Sequence, residues 1–147
     1  MYEHMLIPYD GSKEAKKGAE HGIELAAELG STVHGLYIVD LPGTPRAMSL
    51  RDDEEEMREE YREYGERELD ALGKIAADHG VEFERHMRSG SPSDQIVDFA
   101  DEEEMDVIVM GSAYRGKLGN LLGGTTDRVV RSSTVPVITQ RMDVNDT

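Results

Sequence analysis

The sequence predicts a single α/β domain with an open, mainly parallel five-stranded sheet and helices on both faces. Short apolar runs alternate with longer segments of helical periodicity along its 147 residues, and this alternation is typical of parallel sheets. Residues 107–110 are apolar throughout, as expected of a strand covered on both faces. A glycine-rich loop follows that run directly, at the position where open α/β sheets bind ligands.

The first part of the chain predicts a strand, a helix and a second strand. Residues 5–9 are the first strand, and the turn after them leads into a helix for which Ser12 is a suitable N-cap. Gly30 ends this helix, and residues 33–39 form the second strand. This order indicates a βαβ unit with parallel strands.

The rest of the chain continues the alternation. Its predicted elements are a loop over residues 40–46, a long helix over 48–79, an edge or half-covered strand over 81–88, a helix capped by Ser91, the strand over 107–110, a helix from Thr125 to about residue 132, and a strand over 134–138. The acidic block at the start of the long helix is expected to face solvent.

The chain is strongly acidic, with 31 Asp and Glu against 16 Lys and Arg and a formal net charge of -15. Such a surface repels nucleic acid phosphates and anionic lipids, so both partners are disfavoured. Arg outnumbers Lys by 11 to 5. This profile resembles that of proteins from salt-loving cells, where high salt screens the self-repulsion. An ordinary acidic cytosolic protein is the alternative.

Several further classes of protein are disfavoured. The chain has no cysteine, so neither disulfides nor thiol chemistry are expected. No apolar run approaches the roughly 20 residues of a membrane helix, and the first residues lack the features of a signal peptide, which favours a cytoplasmic protein. The five histidines show no helical pairing or carboxylate spacing typical of zinc sites, so no metal cage is predicted.

The loop over residues 111–124 contains five glycines together with Arg115 and Lys117. Glycine lets the backbone approach a ligand closely and the two cations can neutralise an anion, so the loop predicts a phosphate cradle. Thr125 stands where the N-cap of the next helix is expected. The generic P-loop pattern is matched up to Lys117 but fails at Leu118, where a Mg²⁺-binding hydroxyl is required. A plain connecting loop is the alternative.

The spacing of these glycines resembles that of universal stress proteins of the UspA type. Nucleotide-binding members carry G-x2-G-x9-G-[ST] after the fourth strand, and here Gly111, Gly124 and Thr125 match its first glycine, its last glycine and its hydroxyl residue. Tyr114 stands in place of the middle glycine, and a bulky residue tolerates positive φ poorly. The likeness covers about residues 4–141.

The resemblance implies a Rossmann-like fold of the adenine nucleotide alpha hydrolase type and a bound adenine nucleotide, ATP or AMP, with or without Mg²⁺. Pro8, Tyr9 and Asp10 are expected beside the adenine and ribose, and the backbone of Ile38 at the adenine. The other expected contacts are Met110, Gly111, Ser112, Tyr114, Arg115, Gly116, Lys117, Gly124, Thr125, Thr126 and Asp127.

The resemblance also implies a homodimer, formed through a last strand with Val135 and Thr139 at its ends. Residues 142–147 are expected to be a polar tail. The leading hypothesis is thus a homodimeric stress protein that senses or buffers ATP. The competing one is a stress protein whose cleft is filled by Tyr114 and which acts through dimerisation and protein partners.

An ATP-hydrolysing or nucleotidyl-transferring enzyme ranks last among these hypotheses. No base, nucleophile and set of Mg²⁺ ligands can be assembled from the motifs found. Asp127, near the predicted helix start, stabilises that helix but repels a triphosphate. Nucleotide binding without efficient turnover is therefore the expectation.

Overall fold

The computed structural model describes residues 1–40, 51–113 and 124–143. Strands and helices alternate along them in the order β1 (His4–Pro8), α1 (Lys13–Leu29), β2 (Thr32–Val39), α2 (Arg51–Asp78), β3 (Phe83–Ser89), α3 (Pro92–Glu102), β4 (Val107–Ser112), α4 (Thr125–Ser132) and β5 (Val137–Arg141). This order confirms the predicted α/β class.

The five strands form one sheet in the order β3-β2-β1-β4-β5. Every neighbouring pair is parallel, so the sheet is wholly parallel where the sequence predicted a mainly parallel one. Met5 of β1 lies opposite Val33 on one side and Val107 on the other. The predicted neighbourhood of the first and fourth strands is thereby confirmed, and β3 is an edge strand as its alternating pattern indicated.

Helices cover both faces of this sheet. Ile7 and Val109 point to one face, where Ile23 of α1 and Leu72 of α2 pack against them. Leu6, Leu36 and Ile108 point to the other, where they meet Ile96 and Phe99 of α3 and Val129 of α4. Because successive strand residues point to opposite faces, two apolar cores form on the two sides of the central strands.

The first helix begins and ends as its sequence predicts. The Ser12 side chain accepts a hydrogen bond from the backbone N–H of Ala15, 3.2 Å away, which satisfies one of the unpaired donors of the first turn. Gly30 ends the helix with φ 72°, a left-handed conformation that glycine adopts without steric cost.

Several predicted boundaries differ from those of the structure, and two of them concern the last helix and the last strand. The N-cap of α4 is Gly124, and Thr125 is the first helical residue. β5 begins at Val137 rather than at residue 134, because the Val135 N–H donates to the Ser133 hydroxyl in a local turn instead of entering the ladder. The deviation at β5 arises where a polar side chain offers the backbone a local partner that competes with regular structure.

No helix in the described ranges is both long enough and apolar enough to cross a membrane. The cytoplasmic location suggested by the sequence stays a prediction.

Candidate functional site

The carboxyl ends of β1 and β4 form the topological switch point of the sheet. From β1 the chain proceeds outward to β2 and β3, whereas from β4 it proceeds to β5 on the opposite side. The segments leaving the two strands therefore diverge and open a crevice between them. A cavity of about 410 Å³ lies at this edge, a size suited to a small-molecule ligand.

The cavity brings together residues from both regions that the sequence singled out. Nine of the predicted site residues line it, namely Pro8, Tyr9, Asp10, Ile38, Met110, Gly111, Gly124, Thr125 and Thr126. Ser112 and Asp127 are described but do not line it. Tyr114, Arg115, Gly116 and Lys117 lie outside the described residues.

Other lining residues were missed from the sequence. They are Ser12, Glu14 and Ala15 in the first turn of α1 and before it, Leu36, Tyr37 and Asp40 along or just beyond β2, Tyr61 of α2, Pro92 and Ile96 of α3, and Ala113 after β4. The helix-start residues could have been included, because a helix that follows a parallel strand begins at the same edge of the sheet. Tyr61 carries no such signal, since only the packing of a long helix places it there.

Asp10 is fixed by two hydrogen bonds at the mouth of the cavity. Its Oδ1 accepts from the backbone N–H of Ser12 at 2.9 Å, and its backbone carbonyl accepts from the Tyr64 hydroxyl at 3.1 Å. The first bond is the turn role expected of an Asp at a strand end. The carboxylate is exposed, so the same side chain is also accessible to a ligand.

The phenol of Tyr9 is buried under the cavity floor. Burial, reinforced by the nearby negative charges of Glu68 and Asp10, raises the pKa of Tyr9 to about 12. Burial likewise raises the pKa of Tyr37. Both hydroxyls therefore remain protonated at neutral pH and can donate hydrogen bonds.

Gly111 and Thr126 connect β4 to the start of α4. The Thr126 hydroxyl donates to the Gly111 carbonyl at 2.9 Å. On the other side of Gly111, a Cβ atom would lie 1.7 Å from the backbone carbonyl oxygen of Glu14. The absence of a side chain at Gly111 thus lets α1 approach β4, a packing role that the sequence interpretation, centred on a ligand, did not anticipate.

The backbone of Ile38 faces the cavity. The carbonyl of Leu36 accepts from the Tyr9 N–H at 2.9 Å, so the backbone groups of Leu36 point toward β1. Alternate residues of a strand direct their N–H and C=O groups to the same side. Those of Ile38 therefore also point that way, beyond Pro8, where β1 has ended.

The electrostatics of the cavity combine helix dipoles with carboxylates. The first turns of α1, α3 and α4 contribute lining residues, and N-terminal helix ends carry partial positive charge. The Gly124 N-cap has no side chain to satisfy the first N–H groups of α4. Against this, Asp10, Glu14 and Asp40 line the cavity, and its described lining includes no Lys or Arg.

Known proteins share both the sequence pattern and this fold. A family model described as the universal stress protein family matches residues 1–141. Universal stress protein MJ0531 of Methanocaldococcus jannaschii is 34% identical over 142 residues, which cover 94% of this chain and 81% of that protein.

Two solved structures illustrate the likeness of the fold. That of protein MJ0577 from the same organism matches with a TM-score of 0.81 and 26% identity, covering 98% of this chain and 99% of the other. A universal stress protein of Archaeoglobus fulgidus, solved in complex with dAMP, matches with a TM-score of 0.63 and 23% identity over 94% of this chain and 97% of its own. At the latter identity the likeness concerns the fold alone.

Proposed function

The chain belongs to the universal stress protein family, and from this premise we propose that it binds an adenine nucleotide, ATP or AMP, in the cavity at the carboxyl ends of β1, β2 and β4. Binding there makes the protein a sensor or regulator in the stress response. The single observation that carries the proposal is that the cavity at the switch point joins an apolar part to a set of helix N-termini.

The apolar part of the cavity suits a purine base. Leu36, Ile38 and Ile96 line it with aliphatic surface, and Met110 adds a polarisable side chain. The backbone N–H and C=O of Ile38 point past the end of β1. They are therefore available to form hydrogen bonds with the edge of a flat heterocycle. Shape and apolar contact hold the base while backbone hydrogen bonds orient it.

The opposite part of the cavity suits ribose and phosphate. The exposed carboxylate of Asp10 accepts hydrogen bonds from ribose hydroxyls, and Gly124, Thr125 and Thr126 present the first N–H groups of α4 to an anion. Arg115 and Lys117 supply further positive charge in the proposal. Because Asp10, Glu14 and Asp40 repel a triphosphate, ATP binds as its Mg²⁺ complex and AMP binds without a metal ion.

A fold neighbour solved with dAMP makes adenine nucleotides the ligand class to test first. The test is a calorimetric titration of the purified protein with ATP, AMP and cyclic AMP in high salt, preceded by mass spectrometry to detect any nucleotide carried through purification. Saturable binding of one nucleotide per chain is expected. Asp10→Ala should weaken binding by about tenfold or more, the loss of roughly one charge-assisted hydrogen bond.

Asp78→Ala is the matched control, because Asp78 is an exposed carboxylate at the end of α2 and does not line the cavity. Its affinity for nucleotide should equal that of the unaltered chain. The proposal fails if no nucleotide binds or is carried through purification, or if the two variants lose affinity equally.

The second candidate function is that of a stress protein without a nucleotide, in which the Tyr114 side chain fills the cleft. The observation favouring it is the substitution of Tyr for the middle glycine of the family motif. Tyr114→Gly distinguishes the candidates: nucleotide binding that appears only in this variant supports the closed cleft, and equal affinity in both chains contradicts it.

We further propose that the protein is a cytoplasmic homodimer joined through β5. This strand is at the edge of the sheet and pairs only with β4 among the described strands. Its outer backbone groups are therefore able to pair with a second copy. We propose a binding function rather than turnover, since the sequence motifs do not assemble a base, a nucleophile and a set of Mg²⁺ ligands.

A further inference from the structure

Three histidine side chains from three adjacent strands meet on the face of the sheet that α3 covers. His34 of β2 lies between the other two: its Nε2 is 3.1 Å from Nδ1 of His4 in β1, and its Nδ1 is 3.0 Å from Nε2 of His86 in β3. The His86 ring packs on Phe99 of α3, with ring centroids 4.8 Å apart. The parallel pairing of the strands thus assembles a row of imidazoles from residues far apart in sequence.

A carboxylate joins this row. Glu84 precedes His86 by two positions and therefore points to the same face, and its Oε2 lies 3.5 Å from Nδ1 of His34. One ligand atom from each of His34, Glu84 and His86 lies within 4.8 Å of the other two. Two imidazoles and a carboxylate therefore lie close enough together to share one ion.

We propose that His34, Glu84 and His86 bind a divalent transition-metal ion of the zinc class. Imidazole nitrogen and carboxylate oxygen are ligands that Zn²⁺ prefers, and a tetrahedral ion with bonds of 2.0–2.2 Å sets its ligand atoms about 3.4 Å apart. The separations of 3.0 Å between the histidine nitrogens and 3.5 Å between His34 and Glu84 bracket this value. A water molecule completes the coordination on the exposed side of Glu84.

A cation satisfies the groups around Nδ1 of His34 without requiring that one proton be shared between two acceptors. Both His86 and Glu84 approach this one nitrogen, whereas a neutral imidazole nitrogen carries at most one proton to share. His34 is 6% exposed, so little water reaches the nitrogen to help. A metal ion between the three groups satisfies all of them at once.

His4 is a positioning residue for this site. When the His34 Nε2–H donates to Nδ1 of His4, the lone pair of His34 Nδ1 is left facing the proposed ion. Such a bond from the outer nitrogen orients a ligating histidine and fixes its tautomer. The backbone N–H of His4 donates to Oδ2 of Asp106 at 2.9 Å, which anchors the beginning of β1.

The proposed metal site is separate from the cavity at the carboxyl edge. None of His34, Glu84 and His86 is among the residues that line the cavity. The proposal therefore does not depend on nucleotide binding, and its test uses no nucleotide.

The test is a titration of the metal-stripped, full-length protein with Co²⁺, followed by its visible absorption, and then by competition with Zn²⁺. We expect one equivalent of Co²⁺ to bind with the intense bands of a four-coordinate ion and to be displaced by Zn²⁺. Glu84→Gln and His86→Gln should abolish these bands. His4→Gln should weaken Co²⁺ binding by about 10–100-fold without changing the thermal midpoint of the metal-free protein.

His79→Gln is the matched control, since His79 is an exposed histidine at the end of α2 beyond the site, and it should bind Co²⁺ as the unaltered chain does. Because the Glu84 side chain is exposed, its replacement should leave the fold intact, and Glu84→Gln remains a valid test if His86→Gln does not fold. The proposal is overturned if the unaltered chain binds no Co²⁺, or if Glu84→Gln binds it with unchanged affinity and spectrum.

Discussion

The backbone carbonyl oxygen of Glu14 approaches Gly111 so closely that a Cβ atom added to Gly111 would lie only 1.7 Å from it. Gly18, one turn further along α1, is also in close contact: a Cβ added to it would lie 2.3 Å from the Gly111 nitrogen. The first turns of α1 therefore rest directly on the end of β4. Because residues of both α1 and β4 line the cavity, this contact fixes the position of the first turn of α1 in the cavity wall.

Gly111→Ala should destabilise the protein by about 3 kcal/mol, because the obstacle is backbone and cannot rotate away. Equilibrium denaturation in urea measures the change. Ser112→Ala is the control, since the neighbouring position already carries a Cβ, and it should change stability by less than about 0.5 kcal/mol. Equal stability of the two variants would show that α1 and β4 are not in such close contact.

Thr126→Val should cost about 1 kcal/mol of folding free energy, the typical net contribution of one hydrogen bond. The variant removes the hydroxyl that donates to the Gly111 carbonyl at 2.9 Å. Thr125→Val makes the same change one position earlier and should have a smaller effect. Denaturation curves of the two variants compare them directly, and a larger loss in Thr125→Val contradicts the assignment.

The stability of the protein should fall between pH 10 and pH 12 through the ionisation of Tyr9. The folded-state pKa of about 12 lies above the ordinary value of 10.0, so the contribution of Tyr9 is fully present below pH 10 and is lost as the pH rises through 12. Tyr9→Phe removes the ionisable hydroxyl and with it this dependence of stability on pH. Urea midpoints measured across this range should decline less steeply in the variant, and parallel declines would contradict the burial of the phenol.

Thr139→Pro should convert the proposed dimer to a monomer that is still folded. The Met142 N–H donates to the Ser112 carbonyl, so even-numbered residues of β5 bond to β4 and the odd-numbered Thr139 points its backbone N–H outward. Proline removes that outward donor alone. Light scattering after size-exclusion chromatography gives the mass.

Ile138→Pro is the contrasting variant for the same strand. Its N–H faces β4, so its replacement should lower the thermal midpoint as well as the mass. A monomeric unaltered chain, or a Thr139→Pro chain that remains dimeric, contradicts dimerisation through β5.

High salt should stabilise the protein, because its net charge of -15 makes the folded state repel itself. Raising KCl from about 0.1 M to about 1 M shortens the screening length from about 10 Å to about 3 Å, and we expect the thermal midpoint to rise by roughly 5 °C. The double variant Glu28→Lys with Asp78→Lys should show a smaller rise. A midpoint that does not change with salt would contradict the predicted adaptation to high salt.

Nine of the nineteen described residues that line the cavity were predicted from the sequence, where two local signals mark this edge of the sheet. Asp10 follows an apolar strand, and Gly111 begins a loop after another, and in a parallel sheet the ends of all strands lie along one edge. The same logic could not supply Tyr61 or decide why residue 111 is glycine. The position of Tyr61 and the need for glycine at residue 111 depend on how closely α2 and α1 pack on the sheet. A local sequence pattern does not predict that distance.

The sequence by itself determined the alternation of strands and helices, the start of α1 at Ser12 and its end at Gly30, since apolar periodicity, capping and the freedom of glycine act within a few residues. Only the tertiary structure decided that His4, His34 and His86 form one row and that Glu84 joins it. These residues are far apart in sequence and follow no repeating spacing. They are close in space only because β1, β2 and β3 pair side by side.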